Sequence, residues 1–209
     1  VVDNSTTGLV NNIYTGIGGG VRSVTATNCL IAGNYASYAG GGAARSTLVD
    51  CVISNNSAQC LGGGVYGTGS DAVVLGGKIV KNKVENLRTE NVSDFKKSSG
   101  GGCYLATVSN VLVSGNAVFD PGREGRYGGG GAQCEFIDCE IAYNYAQIGA
   151  SAYKGKMTRC YVHDNATNGG LYLIDSVVDV DGCDIVGQTF NSCQRIANSR
   201  IHGFDVRSY

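Results

Sequence analysis

The chain has 209 residues, 33 of them glycine, with one proline, no tryptophan and a formal net charge of −1. Glycine far above the usual ~7%, without proline and without a G-X-Y period, excludes collagen and argues against a flexible Pro/Gly linker. A hydrophobic share of 43% against 16% charged residues excludes a disordered polyelectrolyte, and near-neutral charge gives no general reason to bind nucleic acid.

No apolar run approaches the ~18 residues needed to span a bilayer, and nothing resembles a signal peptide. Because the first residue is Val1, the chain reads as a processed product or a piece of a longer one. Self-comparison then finds the organising signal. Glycine triplets open at Gly18, Gly40 and Gly62, 22 residues apart, recur at Gly100 and Gly128, and weaken to Gly149 and the Gly169-Gly170 pair. A small or branched residue usually follows: Val21, Ala43, Val65, Cys103, Ala132, Leu171.

A second motif, C-x-[IV]-x-x-N, keeps step with the first. Its copies begin at Cys29, Cys51, Gly77, Val111, Cys139, Cys160 and Cys183, and end at Asn34, Asn56, Asn82, Asn116, Asn144, Asn165 and the divergent Gln188. Alternation within each copy predicts a strand. Cys and Ile/Val point inward, whereas Leu30, Ser54, Lys78, Glu140, Tyr161 and His163 point outward. Units this short cannot bury a core alone and must stack on their neighbours. Like residues then form columns about 4.8 Å apart. Buried Asn is costly without partners, and a column of Asn supplies them. A helical reading fails, because no i, i+3, i+4 apolar stripe exists and glycine costs about 1 kcal/mol per helical position.

The expected fold is all-β: a single-stranded, right-handed parallel β-helix of about seven coils, forming one domain over 1–209 with its clearest repeats in 16–190. Glycine triplets followed by Ala or Val, alternating with [IV]-x-x-N, resemble the GGA[ILV]/FxxN repeats of the chlamydial polymorphic outer-membrane proteins, and more broadly bacterial right-handed β-helix repeat proteins. Ile31, Ile53, Ile79, Val113, Ile141, Val162 and Ile185 stand where that family has Phe. The resemblance implies the β-helix fold and a secreted or cell-surface location, and says little about chemistry.

Two coils carry insertions, one between Asn82 and Gly100 and one between Asn116 and Gly128. Both leave the same corner of consecutive coils and should emerge side by side, as solenoids place binding loops. Lys96, Lys97, Arg123, Arg126 and Tyr127 are the candidate residues for binding a glycan or a surface protein there. Longer segments from Val65 to Gly77 and from Leu171 to Cys183 leave room for bulges. Asp175, Asp179, Asp181 and Asp184 cluster in the second, without the spacing of a known calcium loop, and no cofactor is expected.

Nine cysteines form two groups. Cys29, Cys51, Cys139, Cys160 and Cys183 form a column of parallel Cβ vectors poorly suited to disulfides, so stacked free thiols are expected. Cys60, Cys103, Cys134 and Cys193 lie outside it and are the better disulfide candidates. An outward patch gathers Asp138, Glu140, Arg159, Tyr161, His163 and Asp184, the inventory of a polysaccharide lyase or hydrolase: Arg to neutralise a uronate and a base for the adjacent proton. Charged cross-strand pairs are also ordinary sheet decoration. Four N-x-[ST] sequons occur, at Asn4, Asn55, Asn91 and Asn165, the last in the inward column. The ends show no capping helix, which suggests neighbouring domains or end-to-end self-association. The favoured function is a non-enzymatic stalk or adhesin, with a carbohydrate-active enzyme as the alternative.

Overall fold

The computed structural model describes residues 1–7, 9–10, 13–85, 98–119, 126–167, 174–187, 190–191 and 195–202, with backbone only at 9–10, 13–14, 174–179 and 190–191. These residues form strands, turns and bends, with no helix and no closed barrel. Every strand pairing is parallel except the short hairpin of Leu9–Val10 with Ile13–Tyr14. Among the described residues no helix is long and apolar enough to cross a membrane.

The architecture is one of chain segments returning to the same register. Thr47–Ser54 lies against Val73–Val80 with Leu48 opposite Val74 and Ile53 opposite Ile79. Continued pairing produces one column from Ile31 through Ile53, Ile79, Val113, Ile141, Val162 and Ile185. It runs one place further than the repeat motif, to Ile201. The column residues from Ile31 to Ile185 are buried and belong to a single apolar core. A second sheet of seven short strands begins at Ser5–Thr6 and ends at Ala166–Thr167. Its strands follow directly after the motif Asn residues.

Asn34, Asn56, Asn82, Asn116, Asn144 and Asn165 are all buried and form a continuous ladder. Each Nδ2 donates to the next Oδ1 at 2.9–3.0 Å, from Asn34 to Asn165. The same Oδ1 also accepts from the preceding Asn backbone N–H. The second Nδ2 hydrogen reaches a strand carbonyl one coil back, as Asn116 does to Ile79 at 2.9 Å. Each amide in the middle of the ladder is therefore fully bonded, which offsets the cost of its burial. The ladder starts one rung earlier than the motif shows: Asn4 donates to Asn34 Oδ1 at 3.0 Å.

The two sequence motifs are one packing unit. A Cβ built on the third glycine of a triplet would lie 2.8 Å from Asn34 Nδ2 at Gly20, 2.8 Å from Asn56 Nδ2 at Gly42 and 3.1 Å from the Asn116 amide at Gly102. The glycine edge thus lies directly on the Asn ladder, and a methyl group has no room there. The first glycine of each triplet has φ between 56° and 77° from Gly18 to Gly128.

The cysteine column is also a turn device. Asn28, Asp50, Asp138, Arg159 and Asn198 adopt left-handed φ near 50° just before the strand. The following thiol donates back to the carbonyl two residues earlier: Cys51 to Val49 at 3.3 Å and Cys139 to Ile137 at 3.2 Å. Ser199 takes the next place and donates to Ala197 at 2.7 Å. Among the described residues no cysteine is in a disulfide. Cys60, Cys103 and Cys134, the disulfide candidates, are free thiols here; Cys193 lies outside the described residues. Ser54 also departs from expectation: it is buried rather than outward, its backbone pairing with both Ala32 and Val80. The expected irregularity before Cys183 is a register shift, with Tyr153 opposite Asp175 but Gly155 opposite Val178.

Candidate functional site

The charged residues of the outward patch are mostly paired with one another. Asp138 and Arg159, each following a strand at equivalent left-handed turns, make a bidentate pair at 2.7 and 2.8 Å. The Arg159 hydrogen bonds hold the Asp138 carboxyl below its ordinary value. His163 lies between two carboxylates, Asp164 at 2.8 Å and Glu140 at 3.3 Å. Tyr161 stacks on its ring at 4.3 Å and Tyr143 meets it edge-on at 5.8 Å. The His163 side chain is only 14% exposed, so it is not the open surface residue the sequence suggested. Asp184 is turned to a different partner, His202 Nε2, at 2.7 Å.

Asp184, Arg200, Ile201 and His202 line a shallow depression of about 350 Å³. The sequence analysis named neither Arg200 nor His202 in the patch. Their signal was the register continuing into the last strand, Asp184 to Arg200 and Val186 to His202. Asp181 accepts from Asn198 Nδ2 at 2.9 Å, and Asp175 and Asp179 have side chains outside the described set. Among the described residues no cluster of three or more His, Cys, Asp or Glu is arranged to hold a metal ion.

The insertions themselves lie at 86–97 and 120–125, outside the described residues, as do Lys96, Lys97 and Arg123. Their roots are described and are in register. Lys83–Glu85 pairs with Ala117–Phe119 where the chain departs, and Ser98–Ser99 pairs with Arg126–Tyr127 where it returns. The roots of the two insertions thus lie side by side on adjacent coils.

An aromatic trough beside these roots went unread in the sequence. Ala43, Val65, Cys103 and Ala152 point into the core, so their neighbours Ala44, Tyr66, Tyr104 and Tyr153 face the other way. Across the glycine corner stand Ile17, Ala39, Leu61, Ser99, Tyr127 and Ile148, joined as successive bridges. The two columns touch: Ala39, Ala44 and Tyr66 form a second apolar cluster with Ile17, Tyr38, Leu61 and Tyr104. Tyr66 lies 6.4 Å from Tyr38 and 6.0 Å from Tyr104, and Tyr127 lies 4.3 Å from Tyr153.

Polar groups edge this trough. Gln133 Nε2 donates to the Tyr104 hydroxyl at 2.8 Å, and Lys154 Nζ sits 5.2 Å from the Tyr153 ring centre. Arg45 pairs with Asp71 at 3.5 Å. Burial, with repulsion from Tyr66, pushes the Tyr38 hydroxyl up to about 12. Arg126 Nε and Gln147 Oε1 are buried with no hydrogen-bond partner among the described residues, although such groups normally find one. The missing sequence signal was the spacing of Tyr66 and Tyr104, each the second residue after a triplet.

No protein-family model matches the chain, and no curated protein or solved structure matches it.

Proposed function

We propose that this chain is a non-enzymatic, exported bacterial β-helix, right-handed and of about seven coils, serving as a rigid stalk or adhesin. On this reading it is a distant relative in kind of the chlamydial GGA[ILV]/FxxN repeat proteins. It grips a glycan or a surface protein through the insertions and the tyrosine trough from which they rise. End-to-end self-association is a compatible assembly mode.

The observation that carries the reading is two tyrosine groups, Tyr38–Tyr66–Tyr104 and Tyr127–Tyr153, edged by Gln133 and Lys154 near the roots of the paired insertions. Tyrosines present rigid apolar area with a polar tip, the combination found at recognition surfaces.

The enzymatic alternative loses its main residues to one another. An Arg that is to neutralise a uronate cannot do so while both arms are held by Asp138, and His163 is clamped by two carboxylates. Only the depression of Asp184, Arg200 and His202 keeps that reading alive. A glycan array followed by a turnover assay on every hit separates the two. The adhesin reading expects binding without release of unsaturated or reducing ends, and at least tenfold weaker binding for Tyr127→Ala and Arg126→Ala. Turnover abolished by His202→Ala would establish the enzyme instead.

A further inference from the structure

Two buried sulfurs outside the cysteine column meet in a space that the chain keeps open for them. Cys103 and Cys134 approach to 3.5 Å, Sγ to Sγ. They are not register partners: Cys103 pairs with Gly131, and Cys134 pairs with Gly155. They come from different columns, one on each side of the turn at Leu105 and Gln133, both left-handed. Their side chains therefore converge across a corner, unlike the parallel vectors of Cys139, Cys160 and Cys183.

Gly131 stands in a column that elsewhere carries Ala43, Val65, Cys103 and Ala152. A Cβ built on Gly131 would lie 2.6 Å from Phe136 Cζ, 2.8 Å from Cys103 Sγ and 3.2 Å from Cys134 Sγ. The place of the missing side chain is shared by the Phe136 ring and both sulfurs. Cys103 is fully buried and Cys134 nearly so.

We infer that Cys103 and Cys134 are a specific disulfide-forming pair, closed by exchange with a small-molecule disulfide such as oxidised glutathione. One protein thiolate attacks the oxidant, forming a mixed disulfide and releasing one reduced thiol. The second protein thiolate attacks the mixed disulfide, forming the protein S–S bond and releasing the second thiol. Two protein thiols are oxidised, one external disulfide is reduced, and the two protons pass to the released thiolates. The bond staples two adjacent coils across a 31-residue separation. It lies next to the strand by which the second insertion returns, since Arg126–Tyr127 precedes Gly128 directly. The inference stands independently of the binding proposal.

The test uses the full chain, prepared once with export to an oxidising compartment and once from a reducing cytosol followed by incubation with oxidised glutathione. Free thiols are blocked under denaturing conditions, and the digest is mapped by mass spectrometry. The expected result is one linked peptide pair joining Cys103 to Cys134, two hydrogens lighter than its parts. Reduction should then lower Tm by roughly 10 °C, as loop closure on this scale implies. Cys134→Ala copies Ala106, its neighbour in the same column, and Cys103→Ala copies Ala43 in its own. Each variant should fold, lose the link and lose the redox dependence of Tm. Both cysteines recovered fully blocked from both preparations would overturn the inference, as would linkage of either to another cysteine.

Discussion

Residues 18–144 and residues 149–202 build the same stacked strands by different means. In the first region each coil combines a glycine triplet with a buried Asn, and glycine lies against amide across the interior. In the second, the triplet becomes Gly149-Ala150-Ser151 and Ser151 is buried in the third position. There the ladder reaches its last described rung: Asn165 Nδ2 donates to the carbonyl of His163 in its own coil at 2.8 Å. Among the described residues the second sheet ends at Ala166–Thr167, while the aliphatic column continues through Ile185 to Ile201. Where both are described, the amide ladder ties the second sheet and the glycine corner to the aliphatic column.

The sharpest way to break that comparison is to remove rungs at different heights. Asn116→Ala strips partners from Asn82, Ile79 and Asn144 at once. Leaving several buried polar groups unpaired should cost about 4 kcal/mol and lower the denaturation midpoint accordingly. Asn4→Ala, at the exposed first rung, should cost about 1 kcal/mol or less. Equal losses in chemical denaturation would mean that the ladder does not act as a cooperative unit.

Next in size is the glycine contact. Gly102→Ala drives a methyl group into the Gly130 carbonyl oxygen and to within 3.1 Å of the Asn116 amide and should destabilise by about 3 kcal/mol. Ser151→Ala keeps the Cβ already accommodated at the equivalent place and should cost about 1 kcal/mol or less. Thermal unfolding of the two variants side by side checks this. A tolerated Gly102→Ala would uncouple the two motifs.

This coupling explains what could be read from the sequence. The period-two Ile/Val pattern and the recurring Asn give strands, inward direction and stacking from local rules, and each copy repeats the message. The trough was harder to see, because Tyr127 reaches Tyr153 only after an insertion, a corner and a coil have been placed. The patch was only half legible. Alternation brings Asp138 near Arg159, but that their side chains neutralise each other depends on rotamers and left-handed turns. Asn4 was read only as a sequon, because the motif around it is absent. Cys103 and Cys134 stood out as different from the column, but their convergence depends on the missing side chain of Gly131.

Backbone strain gives a smaller, stabilising test. Lys81 is left-handed at φ 57°, between Asn55 and Gly115 in the same column. Asn tolerates this conformation better than Lys, so Lys81→Asn should raise stability by about 0.5 kcal/mol. Tyr143 occupies the equivalent place at the boundary of the two regions, but it also contacts His163. Tyr143→Asn should therefore gain less than Lys81→Asn in parallel melts.

The smallest effect lies at the seam itself, where Asp138 of the first region holds Arg159 of the second. Arg159 hydrogen bonding lowers the Asp138 pKa, and His163 hydrogen bonding lowers that of Asp164. A carboxyl depressed on folding stabilises the native state fully above its unfolded value, about 3.9. That contribution disappears as pH falls through the folded value. Tm should therefore be flat near neutrality from this source and decline below about pH 4. Asp138→Asn should flatten part of the decline, and raised salt should mimic the variant, because the pair is exposed and screened. If the acid limb is unchanged in Asp138→Asn at low ionic strength, the bidentate pair contributes nothing to joining the two regions, and the aliphatic column, the Asn144–Asn165 rung and the strand pairings carry the seam.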